Sequence, residues 1–244
     1  MTRLDCWPSP AKINLFLHVN RRRTDGYHDI QTYFQFIDVE DYLKFYIRND
    51  GQISRLRKLE NTPKESDLTV RAANLLKEAY GVSLGVDIDL KKNIPLGGGL
   101  GGGSSNAATV LVALNKLWRI NTSKIELMEL GRQLGADVPI FIFGLASFAS
   151  GIGEVFDEAP SEEKTLLVLF PGVNVDTKAV FQNSQLTRDS ATIKMSSKAI
   201  VEGRNDCEAV TRVLYPEVDE AMNWLSVYGR ARMSGTGSSV FLIF

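Results

Sequence analysis

The chain has 244 residues, of which 44% are hydrophobic and 23% charged, and its formal net charge is −1. This composition suits one large or two modest globular domains and gives no overall basic footprint for a nucleic-acid partner. Two distant cysteines, only two histidines, no apolar leader and no long apolar run predict a soluble cytoplasmic protein without disulfide, zinc site or membrane partner.

The first predicted element is a strand over residues 11–19, in which apolar residues alternate with Lys12, Asn14, Phe16 and His18. Lys12 and Asn14 therefore project from the same face of the strand. Because this is the non-core face, the pattern by itself favours two solvated side chains over a functional pair.

A charged turn over residues 21–28 follows, with Asp25-Gly26 at a position typical of a hairpin and Tyr27-His28 directly after it. An aromatic ring beside a histidine can stack on a nucleobase and hydrogen-bond it, but the same pair can equally end a strand. Residues 31–37 and 42–47 are predicted to form two strands joined by an acidic corner.

Ser66 is predicted to cap a helix that ends at Gly81, and residues 86–90 alternate as a strand that leads into a glycine-rich segment. That segment reads Pro95-Leu96-Gly97-Gly98-Gly99-Leu100-Gly101-Gly102-Gly103-Ser104-Ser105. Ser104-Ser105-Asn106 is expected to open the next helix. Backbone amides at a helix N-terminus attract anions, so we expect a phosphate ligand here, with a flexible linker as the alternative.

This glycine-rich segment is not a P-loop, because no lysine lies between Lys92 and Lys116. It contains G-x-G-x-x-G at Gly97, Gly99 and Gly102, but so many glycines make that match weak. The second strand and acidic residue of a dinucleotide site are also missing. The serines after the glycines are better suited to a nucleoside triphosphate and its Mg²⁺.

Ser123 begins a helix with a capping box, and Gly135 ends it. Asp137 then lies in a bend before Pro139, where it either caps a helix or takes part in catalysis. The composition becomes polar and acidic between residues 151 and 164, which predicts a domain boundary near residue 155.

The C-terminal part begins with residues 166–170, which are apolar throughout and are predicted to form a central strand. A short helix after Val175-Asp176-Thr177 carries Phe181, and Asn205-Asp206 is expected to cap another helix. Pro216 begins a helix that runs to Tyr228, and a second Gly/Ser loop over residues 234–239 leads into a last strand.

Three segments, residues 10–15, 95–108 and 234–239, together resemble the three motifs of the GHMP kinase superfamily, in the same order. Within it, residues 23–28, residues 134–139 and Asn205-Asp206 resemble the family of 4-diphosphocytidyl-2-C-methyl-D-erythritol kinases. The resemblance extends over essentially the whole chain.

The resemblance implies a two-domain α+β fold of the GHMP kinase type. Residues 1–155 are expected to form a ribosomal-protein-S5-like, ATP-binding domain, and residues 156–244 a ferredoxin-like domain. Relatives continue for several dozen residues past the third motif, so we expect the second domain to be truncated and less stable than in those relatives.

The activity that the resemblance implies is ATP-dependent phosphorylation of the 2-hydroxyl of 4-diphosphocytidyl-2-C-methyl-D-erythritol, in the non-mevalonate route to isoprenoids. Asp137 would be the general base, and Lys12 would keep it ionised and stabilise the transferring phosphoryl group. Asn14 would orient the acceptor, and residues 95–105 would hold the ATP phosphates. Mg²⁺ is implied by the chemistry, with Ser104 or Ser105 as a candidate contact.

The cytidine end is also implied by the resemblance: Tyr27 and Phe181 would sandwich the cytosine and His28 would hydrogen-bond it. Phe34 and Thr177 would line the same pocket, placed in the cleft between the two expected domains. One departure is Asp67-Leu68, where many relatives have Asn-Leu near the adenine.

Two other functions stay open. One is another GHMP kinase, acting on homoserine or mevalonate, although those acceptors have no base for Tyr27 and Phe181 to stack on. The other is a non-catalytic nucleotide-binding protein with the same fold.

Overall fold

The computed structural model describes residues 6–57, 66–159 and 163–244, which form two compact units. The first unit contains residues 6–11, 37–57, 66–94 and 102–144. The second unit contains residues 12–36, 95–101, 145–159 and 163–244. Because the second unit includes two segments from the N-terminal part of the chain, these units are not the two expected sequence domains, and a domain boundary near residue 155 stays a prediction.

The strands are β1 (Trp7–Arg22), β2 (His28–Arg48), β3 (Ile53–Arg55), β4 (Gly85–Lys91), β5 (Ser147–Ser150), β6 (Val155–Glu158), β7 (Leu166–Leu169), β8 (Arg232–Met233) and β9 (Val240–Ile243). The helices are α1 (Leu68–Tyr80), α2 (Gly102–Leu117), α3 (Lys124–Arg132), α4 (Val138–Phe143), α5 (Thr177–Gln182), α6 (Ser197–Glu202), α7 (Glu208–Leu214) and α8 (Pro216–Ser226). None of the helices in these ranges is long and apolar enough to cross a membrane.

The first unit is built on β4, which pairs antiparallel with the second half of β2 and parallel with β3. Helices α1 and α2 pack on each other, and α4 packs on both α2 and α3. The apolar faces of these elements meet in one core that includes Leu43, Leu76, Ile88, Leu111 and Val138. The predicted amphipathic helices and the strand before the glycine-rich segment are thus confirmed.

Helix α1 begins one residue later than the sequence suggested, because its cap is Asp67 rather than Ser66. The Asp67 carboxylate accepts hydrogen bonds from the Thr69 backbone N–H at 2.9 Å and from the Thr69 hydroxyl at 2.6 Å. Gly81 ends the helix in the left-handed conformation, as expected. The capping box at Ser123 is also confirmed.

The two strands expected around an acidic corner are a single strand, β2. The corner prediction was wrong because Asp41 is not a solvated turn residue: its side chain is completely buried. The carboxylate accepts hydrogen bonds from the backbone N–H groups of Asn93 at 2.7 Å and Ile94 at 2.8 Å. An acidic residue whose hydrogen bonds are made inside the fold does not interrupt a strand.

Helix α2 begins at Gly102, so Ser104, Ser105 and Asn106 lie in its first turn rather than before it. Their side chains do not act as the expected cap. Ser105 Oγ accepts a hydrogen bond from Ser9 Oγ at 2.8 Å, and Asn106 Nδ2 donates to Ser9 Oγ and to Asp41 Oδ2, both at 2.9 Å. These contacts fix the first turn of α2 within the first unit.

The second unit contains a three-stranded antiparallel sheet in the order β7-β9-β8. The central strand is β9, and the expectation that residues 166–170 are central was wrong: β7 lies at the edge, and Leu167 is 40% exposed. An apolar run can also form an edge strand whose outer face stays open to solvent. Helix α8 packs on β9, and α7 packs on α8. In the same unit, the first half of β2 pairs with β5, which pairs with β6.

The helices of the second unit begin close to where the sequence placed them. Asp176 caps α5 by accepting from the backbone N–H groups of Lys178 at 2.9 Å and Ala179 at 3.3 Å. Pro216 begins α8, which ends at Ser226 and not at Tyr228. Asn205 caps the turn that leads into α7, because its Oδ1 accepts a hydrogen bond from the backbone N–H of Cys207 at 2.9 Å.

Asp41 connects the middle of β2 to both sides of the glycine-rich segment. It holds Asn93 and Ile94, which precede that segment, and Asn106, which follows it. It also forms an ion pair with Lys92, whose side chain is 14% exposed. Burial lowers the pKa of Lys92, whereas the hydrogen bond and charge of Asp41 raise it. The charged form of the Lys92 side chain is therefore stabilised by the Asp41 carboxylate.

We expect Asp41→Asn to reduce the free energy of unfolding by about 3 kcal/mol, since removing one partner leaves the other charge nearly buried and uncompensated. Urea unfolding measures this loss. The matched control is Asp50→Asn, which removes an exposed carboxylate paired with Arg48, and it should leave the urea midpoint nearly unchanged. Equal midpoints for the two variants would show that Asp41 has no such role.

Candidate functional site

Lys12 and Asn14 lie on β1 in the second unit, and each is only 3% exposed. Lys12 Nζ donates to Asn14 Oδ1 at 2.6 Å and to the Gly99 carbonyl oxygen at 3.1 Å. Asn14 Nδ2 donates to Thr32 Oγ1 at 2.9 Å. The prediction that these two side chains are solvated was wrong, because both faces of β1 are covered here. A buried ammonium next to a glycine-loop carbonyl is a feature that core packing does not require.

Phe34, on the first half of β2, is also buried, and its ring lies under the same ammonium. The distance from Lys12 Nζ to the ring centroid is 5.6 Å, which is within the range of a cation–π interaction. Phe34 therefore contributes one wall of the surroundings of Lys12. Its expected place in a base-binding pocket stays a prediction.

The second-unit part of the glycine-rich segment requires glycine for steric reasons. Gly97, Gly99 and Gly101 have φ angles of 68°, 72° and 72°. A Cβ atom on Gly99 would lie 2.5 Å from the Ser234 carbonyl oxygen and 2.6 Å from that of Gly237. No side chain fits in that gap, so the backbone of the loop passes directly against the backbone of the 234–239 turn.

The 234–239 turn is closed by a hydrogen bond from Ser234 N to the Ser239 carbonyl oxygen at 3.0 Å. Ser234 Oγ accepts from Asn14 N at 3.2 Å and donates to the Gly99 carbonyl oxygen at 3.0 Å. Ser239 N donates to the Gly98 carbonyl oxygen at 3.0 Å. The first and third sequence motifs, and the glycine loop of the second, are thus joined by direct contacts within one unit.

Ser239 also has a side chain that the fold does not use. Among the described residues, its buried Oγ has no hydrogen-bond partner. A Cβ added to Gly98 would lie 3.0 Å from this oxygen, so the hydroxyl faces the glycine loop. This hydroxyl is therefore a buried hydrogen-bond donor without a partner, directly beside the backbone of the glycine loop.

Asn205 and Asp206 hold this arrangement together. Asn205 Nδ2 donates to the carbonyl oxygens of Met233 at 2.8 Å and Gly235 at 2.7 Å. Asp206 Oδ2 accepts from the backbone N–H of Val19 at 2.7 Å. Sequence reasoning recognised the pair as a motif and assigned it to helix capping, which Asn205 does through the hydrogen bond that its Oδ1 accepts from Cys207 N. The pair also attaches the 234–239 turn and β1 to the segment before α7.

In the first unit, Ser104 and Asp137 both lie close to the turn at Gly135. A Cβ added to Gly135, two residues before Asp137, would lie 3.8 Å from Ser104 Oγ. Asp137 directly precedes α4, but its side chain makes no capping hydrogen bond to that helix. The capping alternative for Asp137 is therefore wrong, and its carboxylate is directed to some other contact. Ser105 is only 1% exposed and bonded to Ser9.

His28 and Phe181 are neighbours in the second unit, with ring centroids 5.2 Å apart. His28 is 8% exposed, and its Nε2 accepts a hydrogen bond from Arg188 Nε at 3.1 Å. Burial, followed by the positive charges of Arg188 and Arg22, lowers the pKa of His28. Sequence reasoning missed Arg188, because it lies in a polar stretch without periodicity.

Tyr27 and Thr177 complete the set of predicted residues. The Tyr27 side chain is exposed, and Thr177 Oγ1 shares a hydrogen bond of 2.9 Å with Thr236 Oγ1. Tyr27 and Phe181 both belong to the second unit, although a boundary at residue 155 would separate them. The stacking role of Tyr27 stays a prediction.

Two family models match the chain: GHMP kinases N terminal domain over residues 67–145 and GHMP kinases C terminal over residues 192–244. A curated protein of Alkalilimnicola ehrlichii, named 4-diphosphocytidyl-2-C-methyl-D-erythritol kinase, is 52% identical over 98% of this chain and 82% of its own length. A protein of the same name from Nitrosococcus oceani is 50% identical over 98% of this chain and 85% of its own length. The chain belongs to this family of GHMP kinases.

Solved structures agree with this assignment. A crystal structure titled 4-(cytidine 5'-diphospho)-2C-methyl-D-erythritol kinase matches with a TM-score of 0.82 and 33% identity, over 97% of this chain and 88% of the other. The mevalonate kinase of Methanococcus jannaschii matches with a TM-score of 0.68 at 13% identity, over 99% of this chain and 92% of the other, which shows the shared fold alone. The predicted α+β GHMP kinase fold is confirmed, and the chain is a small-molecule kinase whose family implies ATP as phosphate donor.

We expect Gly99→Ala to weaken both the fold and ATP binding, because a methyl group would collide with two backbone oxygens. The matched control is Gly172→Ala, at a φ of +80° with nothing within 4 Å of the added atom. Both variants carry left-handed strain, so the difference between them isolates the collision, for which we expect about 1–3 kcal/mol. Thermal unfolding and the KM for ATP measure it. Equal losses in the two variants would mean that the close approach is unimportant.

Proposed function

We propose that this protein transfers the γ-phosphoryl group of ATP to the 2-hydroxyl of 4-diphosphocytidyl-2-C-methyl-D-erythritol, a step of the non-mevalonate isoprenoid pathway. The name shared by its relatives supports the substrate. The observation that carries the catalytic part is the buried Lys12 ammonium, bonded to Asn14 and to the Gly99 carbonyl of the glycine loop.

Lys12 supplies a positive charge at the glycine loop, where the transferring phosphoryl group gathers negative charge. Because Lys12 is almost completely buried, its charge acts with little screening by water. Asn14 lies within hydrogen-bonding distance of Lys12 and orients the acceptor alcohol beside it. In a transfer of this kind, positioning and electrostatic stabilisation contribute most of the rate.

Asp137 acts as the general base. Its carboxylate accepts the proton of the 2-hydroxyl while that oxygen bonds to the γ-phosphorus and the bond to the ADP oxygen breaks. The nearness of Ser104 to the Gly135 turn supports this role, because Asp137 lies two residues after that turn begins.

The residues of the glycine loop suit the triphosphate. The left-handed glycines bring the backbone into reach of phosphate oxygens, and the unpaired Ser239 hydroxyl faces Gly98. In the described part of the chain, no three His, Cys, Asp or Glu side chains form a group that could hold a metal ion. We therefore propose that Mg²⁺, which offsets phosphate charge, is bound through ATP oxygens and water, with the Ser104 hydroxyl as the protein contact.

The base end of the substrate is assigned to Tyr27 and Phe181, which stack on the cytosine, and to His28, which hydrogen-bonds it. Thr177 and Phe34 border this pocket. The contact between His28 and Phe181 supports the assignment, because it brings an aromatic face and a hydrogen-bonding edge together.

Cys6 and Cys207 are both free thiols, which supports a reducing, cytoplasmic location.

The acceptor is tested by measuring ADP release with the cytidyl substrate, with mevalonate and with homoserine. We expect kcat/KM for the cytidyl substrate to be at least a hundredfold higher, since the other two alcohols cannot use the base pocket. Comparable turnover of mevalonate or homoserine would overturn the assignment of the cytidyl substrate. Tight ATP binding without turnover of any acceptor would favour a non-catalytic protein.

The assignment of Asp137 as general base is tested with Asp137→Asn, which removes the proton acceptor and keeps the size of the side chain. We expect kcat to fall by about 10²–10⁴ with little change in either KM. The control is Glu217→Gln, the same chemical change at an exposed carboxylate in the first turn of α8, which should keep full activity. A correctly folded Asp137→Asn variant with near-normal kcat would rule out the assignment.

A further inference from the structure

The guanidinium group of Arg188 donates four hydrogen bonds within the protein. Its Nη2 donates to the carbonyl oxygens of Phe181 at 2.8 Å and Asn183 at 2.7 Å, and its Nη1 donates to that of Leu186 at 3.2 Å. Its Nε donates to His28 Nε2 at 3.1 Å. One guanidinium group thus holds the chain at the end of α5 and, with its remaining edge, a ring nitrogen of His28.

The contact with His28 decides which ring nitrogen carries the proton. A guanidinium group only donates hydrogen bonds, so His28 Nε2 has to be the acceptor. A neutral imidazole has one donor and one acceptor nitrogen, which leaves the proton on Nδ1. Burial and the positive charges of Arg188 and Arg22 lower the pKa of His28 and favour the neutral ring.

The other nitrogen is available to a ligand. Within residues 6–57, 66–159 and 163–244, the hydrogen bond found for the His28 side chain is the one from Arg188 to Nε2, so Nδ1 is left for a ligand. The ring therefore offers one N–H donor, and its acceptor nitrogen is already occupied. Phe181, whose ring lies 5.2 Å from that of His28, has its own carbonyl oxygen held by the same arginine.

We propose that Arg188 is a positioning residue that sets the base specificity of the site. By occupying Nε2 of His28, it makes Nδ1 the hydrogen-bond donor of that ring. A donor at this place favours binding of cytosine over uracil. Cytosine N3 is a hydrogen-bond acceptor, whereas uracil N3 carries a hydrogen and would face the Nδ1 donor. This inference rests on the proposed function, in which His28 contacts the base of the substrate. A site whose polar groups fit only one partner rejects the other, because a mismatched buried donor stays unpaired.

The test compares Arg188→Met with a matched control, Arg230→Met. Arg230 also donates to three carbonyl oxygens at the end of a short helix, those of Val201, Glu202 and Gly203, but it contacts no histidine. Each variant is assayed with the cytidine substrate and with the same compound carrying uridine. We expect Arg188→Met to lower the cytidine-to-uridine ratio of kcat/KM by about tenfold, mainly through KM. Arg230→Met should leave the ratio unchanged.

A second measurement does not depend on turnover. Nitrogen-15 NMR of the wild-type protein at neutral pH should show His28 protonated at Nδ1, and Arg188→Met should shift the ring toward the Nε2-protonated form. Protonation at Nε2 in the wild type, or an unchanged base ratio in Arg188→Met, would overturn the inference, even if that variant is less stable. If the wild type does not phosphorylate the cytidine substrate, the proposed function fails instead, and the NMR result still decides the tautomer.

Discussion

The close backbone contact between Gly99 and the 234–239 turn is the constraint on which the rest of the site depends. The gap leaves no space for a Cβ atom, so the glycine loop and the turn can pack this closely only with glycine at position 99. The Gly99 carbonyl oxygen then accepts hydrogen bonds from both Lys12 Nζ and Ser234 Oγ. A steric requirement at one glycine thus fixes where the buried ammonium lies relative to the loop.

Buried polar side chains surround this contact, and they are tolerated because they bond to one another or to the backbone. Asn14 bonds to Lys12 and Thr32, and Asn205 bonds to two carbonyl oxygens beside the turn. In a low-dielectric interior such bonds hold their partners in one geometry, whereas a polar group without a partner is costly. Among the described residues, the unpaired hydroxyl of Ser239 stands out against this background.

Arginine and aspartate side chains connect elements that carry site residues in each unit. In the second unit, Arg188 joins the end of α5 to the start of β2, where Phe181 and His28 lie. In the first unit, Asp41 joins β2 to the residues on either side of the glycine-rich segment. Neither residue lies in a recognisable motif. Their importance follows from what they hold, which is why inspection of the sequence alone did not find Arg188 and assigned Asp41 to a turn.

The sequence by itself determined the periodic elements and the glycine loop with its expected anion. The resemblance of its motifs to the GHMP kinases added the family and the candidate residues Lys12, Asn14, Asp137, His28 and Phe181. All of this can be read from local sequence, because helical and strand periodicity, glycine content and the short motifs that carry the resemblance are properties of neighbouring residues. The tertiary structure decided what depends on distant residues. It showed that Lys12 and Asn14 are buried, that β7 is an edge strand and β2 a single strand, and that His28 is held by Arg188. Burial and hydrogen-bond partners are set by segments far apart in the chain, such as Gly99 and Ser234, so no local pattern encodes them.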